Sequence, residues 1–432
     1  MNWLIKGGRV VDPAQGLDDV RDVLIREGTV VKIGVDLKPP PDAEELDASG
    51  KVVVPGLIDM HVHLREPGYE HKETLESGLR AAVMGGFTAV CCMPNTDPPL
   101  DNAAAVAYVL QRSREINLAR VYPIGCITKG GRGEELAEMG ELAEAGVVAF
   151  SDDGRPVASA SLMRRALEYS RLFERPIISH CEDPELARGG QMNEGYYSQL
   201  WGLRGIPKAA EEVMVARDVR LAALTGGTLH LAHLSSKGSL AILKQAKRGG
   251  IAVTAEVTPH HLLLTEEAVK GYNTAAKVNP PLRTREDLDA LQEAVGSGLV
   301  DVIASDHAPH APQEKEVEFE AAPFGISGLE TVVPIVVTHL VLSRVISWLQ
   351  AVSLLSLRPA TILGLLGGSL AGGQPADVTI IDPDLELEVD PERFASRGKH
   401  TPFQGWRLRG WPVATIVGGR LVMYDRRIVE PH

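Results

Sequence analysis

Short apolar runs alternate with amphipathic stretches along most of the 432-residue chain. A short apolar run bounded by turn residues is typical of a fully buried strand. Eight such runs lie at residues 52–60, 88–93, 121–127, 147–150, 177–180, 228–232, 252–256 and 300–304. Amphipathic stretches between them, at residues 77–84, 136–145, 209–223 and 238–248, predict helices. Strands that alternate with helices in this way favour an α/β fold of the (β/α)₈ TIM-barrel type.

The two ends of the chain have a different pattern, in which brief β-prone runs are separated by glycine and proline. These runs lie at residues 4–6, 9–11, 23–25, 30–33, 378–381, 413–417 and 421–424. Gly418-Gly419 predicts a hairpin turn between the last two. We therefore expect a small β-sandwich-like domain formed by residues 1–53 and 368–432, with the barrel at residues 54–367.

Other architectures are disfavoured by particular segments. A doubly wound open sheet is the alternative α/β fold, but no G-x-G-x-x-G motif follows the first strand. The longest apolar stretch, residues 329–355, contains Pro334, His339 and Arg344, which favours a core helix or helix pair over a membrane span. The first residues lack the pattern of a signal peptide, so we expect a cytoplasmic protein.

Composition narrows the possible functions only slightly. The net charge of −13 and the lack of a basic stripe argue against nucleic-acid binding, although a local site for an anion remains possible. The four cysteines, Cys91, Cys92, Cys126 and Cys181, match no zinc-finger spacing. Reduced thiols in a cytoplasmic protein are the expectation.

Polar side chains follow several of the predicted barrel strands where each strand ends. His61 and His63 lie two residues apart, so both point to one side of the first strand. An isolated His-x-His pair is as often structural as metal-binding. Further histidines and aspartates end four other strands, namely Asp152, Asp153, His180, His230, His233, Asp306 and His307. Because barrel active sites lie at the carboxyl ends of the strands, we expect these groups to meet there.

Imidazole and carboxylate ligands suit zinc and similar divalent ions. A set of four histidines and two aspartates drawn from these residues exceeds the four ligands of one tetrahedral shell, which favours two ions that share a carboxylate. His230 and His233 are three residues apart and face opposite sides of a strand, so only one can point to the ions. We assign His233 as the ligand because it lies nearer the mouth, and His230 to the core.

Three segments resemble one family closely: residues 55–68 (PGLIDMHVHLREPG), 93–96 (MPNT) and 304–310 (ASDHAPH). They are similar to the amidohydrolase superfamily, to its cyclic amidohydrolases, and specifically to dihydroorotases of the class I bacterial type. Many relatives carry a carbamylated lysine between two metals. Residues 150–154 (FSDDG) offer no lysine there, and the resemblance implies Asp153 as the bridge, with Asp152 as the alternative.

The resemblance implies reversible, zinc-dependent cyclisation of N-carbamoyl-L-aspartate to L-dihydroorotate, the third step of pyrimidine biosynthesis. One or two zinc ions are expected per subunit. The implied ligands are His61, His63 and Asp306 for one ion, His180 and His233 for the other, and Asp153 for both. Asp306 is also the implied catalytic residue, which takes a proton from the attacking hydroxide and delivers it to the departing ring nitrogen.

The substrates carry one or two carboxylates, so the mouth needs cationic or amide donors. The resemblance implies substrate contacts at His63, Leu64, Arg65, Asn95, Asn279, His310, Phe324 and Gly325. The alternatives are a surface arginine and capping or turn asparagines. The charged segment 311–324 predicts a loop over the mouth that moves, and a solvated loop without a gating role is the alternative.

Two other functions remain open at this stage. An allantoinase or hydantoinase is the nearest enzymatic alternative, although Arg65, Asn95 and the missing lysine argue against it. A non-catalytic homologue that only scaffolds a partner is the second, and the full set of ligands argues against that. The family also suggests a homo-oligomer and a complex with aspartate transcarbamoylase.

Overall fold

The computed structural model describes residues 2–430, so residues 1, 431 and 432 of the predicted terminal domain lie outside the described part. Within it, five strands precede the barrel: β1 (Trp3–Asp12), β2 (Leu17–Arg26), β3 (Thr29–Gly34), β4 (Glu44–Asp47) and β5 (Val52–Pro55). The next ten are the eight barrel strands and the separate short pair β11 (Met192–Asn193) and β12 (Gly205–Ile206). The barrel strands are β6 (Leu57–Val62), β7 (Phe87–Cys92), β8 (Arg120–Gly125), β9 (Ala149–Phe150), β10 (Ile177–Ser179), β13 (Leu229–Leu231), β14 (Val253–Val257) and β15 (Val302–Ile303). The last four are β16 (Val378–Glu388), β17 (Arg407–Val417), β18 (Arg420–Tyr424) and β19 (Arg427–Ile428).

Both ends of the chain contribute to one β domain, as predicted, and its strands form a single mostly antiparallel sheet. Its strand order is β19-β18-β17-β16-β5-β1-β2-β3, and β4 pairs with β1. The predicted hairpin joins β17 to β18, where Gly418 and Gly419 have φ angles of 56° and 78°. Two consecutive left-handed residues match the right-handed twist of the flanking strands, which is why glycines occupy this turn.

Eight parallel strands form the predicted (β/α)₈ barrel, in the order β15-β14-β13-β10-β9-β8-β7-β6. The gap between the first and last of these strands is bridged just beyond their ends. Val62 pairs with His307, and the amide of His63 donates to the carbonyl of His307 at 2.8 Å. This closure brings the His61–His63 segment beside the Asp306–His307 segment.

The prediction of a single strand at residues 52–60 is wrong, because the chain leaves the terminal sheet and enters the barrel sheet at Gly56. Residues Val52–Pro55 pair with β1 and β16 in the terminal sheet and cross the predicted domain boundary after residue 53, whereas β6 begins at Leu57. A β-carbon at Gly56 would lie 2.2 Å from Oγ1 of Thr88. Only glycine therefore permits this close crossing between the two sheets.

The described residues form thirteen α-helices, and four of these match the four predicted helices, with bounds that differ by at most three residues. The thirteen are α1 (Leu75–Met84), α2 (Ala103–Ile116), α3 (Met139–Ala145), α4 (Ala160–Ser170), α5 (Tyr196–Trp201), α6 (Ala209–Thr225), α7 (Lys237–Arg248), α8 (Pro259–Leu263), α9 (Arg285–Gly296), α10 (Pro312–Lys315), α11 (Val332–Val336), α12 (Trp348–Val352) and α13 (Arg358–Leu363). The apolar stretch 329–355 contains α11, α12 and the π-helical turn Val337–Val341, and a second π-helical turn, Ser353–Leu357, begins within it. Among the described residues no helix is long and apolar enough to cross a membrane.

Two apolar layers support the site. Side chains inside the barrel, such as Met60, Cys91, Ile124 and Ile178, form a compact cluster below the mouth. A larger cluster joins the outer faces of the strands to the helices around them. All four cysteines are free and buried. The rim at the carboxyl ends of the strands is thus held by packed apolar side chains on both sides.

Candidate metal centre

Six side chains converge at the carboxyl ends of the barrel strands, and Asp153 lies at their centre. Its Oδ1 lies 3.4 Å from Nε2 of His61, 3.7 Å from Nδ1 of His180 and 3.7 Å from Nε2 of His233. Its Oδ2 lies 3.5 Å from Nε2 of His63. One carboxylate therefore approaches all four imidazoles.

Asp306 completes a second group on the side of the first strand. Its Oδ1 lies 3.3 Å from Nε2 of His63 and 3.6 Å from Nε2 of His61. In tetrahedral zinc sites, two ligand atoms that each lie about 2.1 Å from the ion are about 3.4 Å apart. The groups His61–Asp153–His233 and His61–His63–Asp306 therefore have the spacing of ligands around an ion.

Three buried atoms of these six side chains lack a protein partner. Nε2 of His61, Oδ1 of Asp153 and Nδ1 of His233 make no hydrogen bond to the described residues. Buried polar atoms are almost always satisfied, by protein, by water or by an ion. Because Nε2 of His61 and Oδ1 of Asp153 lie 3.4 Å apart, a divalent cation bound between them would satisfy both.

The charges at the centre also favour a cation. Burial by itself would raise the pKa of Asp153, but the neighbouring imidazoles of His61, His233 and His63 hold this pKa well below its usual range. Burial would likewise raise the pKa of Asp306, but its hydrogen bond to His63 and the nearby imidazoles outweigh burial and lower this pKa. Both carboxylates are therefore ionised at neutral pH.

Asp152, the alternative bridge, is engaged elsewhere. Its Oδ1 accepts hydrogen bonds from the amides of Ile127 at 2.8 Å and Thr128 at 3.1 Å, and its Oδ2 accepts one from the Thr128 hydroxyl. Burial raises its pKa to about 6. Asp152 thus secures the connection after the third barrel strand, while the neighbouring Asp153 points to the imidazoles.

Glu256 orients His61, a role that the sequence analysis missed. Its Oε1 lies 2.6 Å from Nδ1 of His61, and its Oε2 lies 3.1 Å from Nε2 of His230. A carboxylate only accepts, so His61 carries its proton on Nδ1 and keeps the Nε2 lone pair free. His230 bonds to Glu256 and Thr254 and joins neither ligand group. The sequence signal that could have identified Glu256 is a charged residue near the end of the otherwise apolar strand β14.

Replacing Glu256 by glutamine is expected to weaken metal binding about 10- to 100-fold, because loss of the charge loosens the tautomer and orientation of His61. Competition with a metal chelator measures this directly. Glu330→Gln is the matched control, since Glu330 is also buried but, among residues 2–430, accepts hydrogen bonds only from the amides of Ala395 and Ser396. Equal zinc affinity in the two variants would contradict the orienting role.

A cavity of about 370 Å³ opens beside Asp153, lined by Arg65, Asn95 and other polar residues. Oδ1 of Asn95 accepts a hydrogen bond from Nδ1 of His63 at 2.9 Å, so Asn95 orients a second imidazole. Nε of Arg65 donates to the carbonyl of Pro309 at 3.1 Å. Burial lowers the pKa of Arg65 to about 10, which leaves it cationic at neutral pH.

The other predicted substrate residues form two groups outside the lining of this cavity, and His310 of the first group approaches Arg65. His310 donates from Nε2 to the carbonyl of Phe324 at 2.8 Å, next to Gly325, and the same nitrogen lies 3.4 Å from Nη2 of Arg65. Nδ2 of Asn279 lies 3.5 Å from Nε2 of His180. The side chain of Leu64 is only 2% exposed and packs in the outer core, so only its backbone can face a ligand.

Comparisons with known proteins agree on one family. Residues 50–239 match a family model described as Dihydro-orotase-like, and residues 245–423 match the model of the Amidohydrolase family. The dihydroorotase of Pelotomaculum thermopropionicum is 56% identical over 428 residues, which cover 99% of this chain and 100% of that protein. The chain belongs to the dihydroorotase family. The dihydroorotase of Pelobacter propionicus is 53% identical over 422 residues, with 98% and 99% coverage.

Solved structures of related enzymes share the fold of this dihydroorotase family member. The L-hydantoinase of Arthrobacter aurescens has a TM-score of 0.88 at 25% identity, over 99% of this chain and 97% of that one. The D-hydantoinase of a Thermus species has a TM-score of 0.82 at 25% identity, over 99% and 97%. The predictions of an amidohydrolase barrel and of a cyclic amide hydrolase with dihydroorotase function are therefore confirmed.

Proposed function

We propose that this chain is a zinc-dependent dihydroorotase that closes N-carbamoyl-L-aspartate to L-dihydroorotate and water, and reverses the reaction. The observation that carries the proposal is the position of Asp153, whose carboxylate approaches four imidazoles beside a cavity lined by Arg65 and Asn95. A guanidinium and an amide are the donors that a substrate carboxylate requires.

The ligand set is proposed to hold two ions. His61, His63 and Asp306 would bind one ion, and His180 and His233 the other, with Asp153 between them. Imidazole and carboxylate ligands suit zinc. A bound zinc ion would bring the pKa of a water ligand close to neutrality and polarise the ring carbonyl.

Asp306 is proposed to move the proton during turnover. Asp306 is ionised at neutral pH, and a carboxylate can accept a proton from the attacking water. In ring opening, the water oxygen bonds to the ring carbonyl carbon, the bond from this carbon to the ring nitrogen breaks, and the nitrogen takes the proton from Asp306. Ring closure follows the same steps in reverse. Arg65 and Asn95 would hold the substrate carboxylate and so orient the ring.

A substrate panel tests the proposal. The ultraviolet absorbance of dihydroorotate is followed with zinc-loaded protein, and hydantoin, dihydrouracil and allantoin are assayed in parallel. We expect selective loss of dihydroorotate, abolished by a chelator and restored by zinc. Turnover of another ring in preference to dihydroorotate, or turnover that a chelator does not affect, would overturn the proposal.

The homo-oligomer and the complex with aspartate transcarbamoylase stay predictions. A chain that binds zinc but is silent alone, and that turns over dihydroorotate after aspartate transcarbamoylase is added, would support the complex. Activity of the chain alone, unchanged by that addition, would argue against any requirement for it.

A further inference from the structure

Two lysines at the mouth of the barrel are almost completely buried. Lys277 and Lys315 are each 2% exposed. Lysine is rarely buried without partners, because removing an ammonium group from water is costly. Burial lowers the pKa of Lys277 to about 8 and that of Lys315 to about 7. Each ammonium therefore depends on the hydrogen bonds that replace its water.

Backbone carbonyls of the segment 311–325 supply most of those hydrogen bonds. Nζ of Lys277 lies 2.6 Å from the carbonyl of Phe319, 2.6 Å from that of Ala322 and 3.2 Å from that of Glu320. It also lies over the rings of Phe319 and Phe324, 5.0 and 4.8 Å from their centroids. The ammonium of Lys277 thus provides hydrogen bonds to the carbonyls of one turn, residues 319–322.

The same lysine connects three separate loops of the mouth. Its own loop follows β14, and the carbonyls that it binds follow β15. Its fourth contact, Oε1 of Gln191 at 2.5 Å, lies in the loop after β10. The carbonyl of Lys277 in addition accepts from the amide of Gly325 at 2.9 Å. Side chain and backbone therefore hold the two ends of residues 319–325.

Lys315 fastens the other part of the segment. Its Nζ donates to the carbonyls of Thr274 at 3.0 Å and Pro323 at 2.8 Å. The hydroxyl of Thr274 donates in return to the carbonyl of Lys315 at 2.7 Å. The segment that the sequence predicts to be a moving loop is therefore attached at several buried points.

We propose that Lys277 is a positioning residue, whose buried ammonium joins the loops after β10, β14 and β15 into one wall. It would thereby hold Phe324 and Gly325 beside His310, which in turn approaches Arg65 of the cavity. Lys315 and Thr274 assist it. Lys277 contacts none of the six ligand side chains by hydrogen bond or ion pair among the described residues. Its loss therefore acts on the wall and leaves the metal centre intact.

Hydrogen–deuterium exchange of the full, zinc-loaded chain tests the proposal without any assay of activity. In Lys277→Met, which keeps most of the side-chain volume, amides of residues 311–325 should exchange about tenfold faster or more. Lys270→Met is the matched control, because Lys270 is exposed in the same loop and should change nothing. Unchanged exchange in Lys277→Met would overturn the proposal.

Kinetics give a second readout, which rests on the proposed function. KM for dihydroorotate should rise about tenfold in Lys277→Met, while kcat and bound zinc change less than twofold, because substrate binding is lost and the reacting groups stay in place. A fall in kcat together with loss of zinc would overturn the positioning role. Failure of the substrate assay in the unmodified chain would affect the proposed function alone.

A milder variant covers the case in which Lys277→Met fails to fold. Thr274→Val keeps the shape of the side chain and removes only the hydroxyl that donates to Lys315. It should raise exchange in residues 311–325 about threefold, with the rest of the chain unchanged. Exchange identical to that of the unmodified chain would contradict the assignment.

Discussion

Asp306→Asn is expected to lower kcat by a factor of about 10² to 10⁴ in both directions of the reaction, because asparagine cannot accept and return the proton. The amide keeps an oxygen in place of Oδ1, which lies 3.3 Å from His63 and 3.6 Å from His61. Most of the zinc should therefore remain bound. Steady-state rates and zinc content per chain, measured on the same preparation, check both parts.

A control for this variant lies at the other end of the same barrel strand. Asp301 is buried and pairs with Lys247 at 2.5 Å, on the side opposite the mouth. Asp301→Asn should lower stability and leave kcat near normal. Near-normal kcat in Asp306→Asn would sink the assignment of Asp306 as the proton carrier, whereas loss of zinc in step with activity would leave it as a ligand alone.

Asp153→Ala is expected to remove both zinc and activity. Asp153 is the one carboxylate that approaches all four imidazoles, and it is proposed to contact both ions. Loss of a residue that only orients a ligand already costs about 10- to 100-fold in metal affinity, so loss of a shared ligand should cost at least that much. Zinc content after dialysis and kcat for dihydroorotate are the measurements.

The adjacent aspartate supplies a matched control. Asp152→Ala leaves the amides of Ile127 and Thr128 without their acceptor, so it should lower the free energy of unfolding by about 1–3 kcal/mol. Its zinc content should match that of the unmodified chain. If zinc were lost in Asp152→Ala and kept in Asp153→Ala, the bridge would belong to Asp152.

Several features of the fold could be predicted because local pattern carries them. Apolar runs of strand length mark the barrel strands, and Gly418-Gly419 marks a hairpin because only left-handed residues fit that turn. The division at Gly56 was missed because strand residues on either side are equally apolar. Nothing local shows that Val52–Pro55 pairs with the terminal sheet while Leu57–Val62 enters the barrel.

The sequence by itself determined which side chains stand at the mouth. Parallel barrel strands all end at one rim, so histidines and aspartates at strand ends must lie near one another, and the two-residue period puts His61 and His63 on one side. The choice of Asp153 as the candidate bridge also came from the sequence, through its resemblance to a family. The folded chain adds the physical difference between the two aspartates: Asp152 accepts hydrogen bonds from backbone amides, whereas Asp153 faces the imidazoles.

Only the tertiary structure decided which distant groups orient and hold the site. Glu256 meets His61 across 195 residues of chain, and Lys277 meets carbonyls more than forty residues away. Such contacts depend on distances between separate loops and strands, which local periodicity does not encode. A charged side chain needs protein partners only after folding has removed its water. Which groups replace that water is therefore decided by the folded structure.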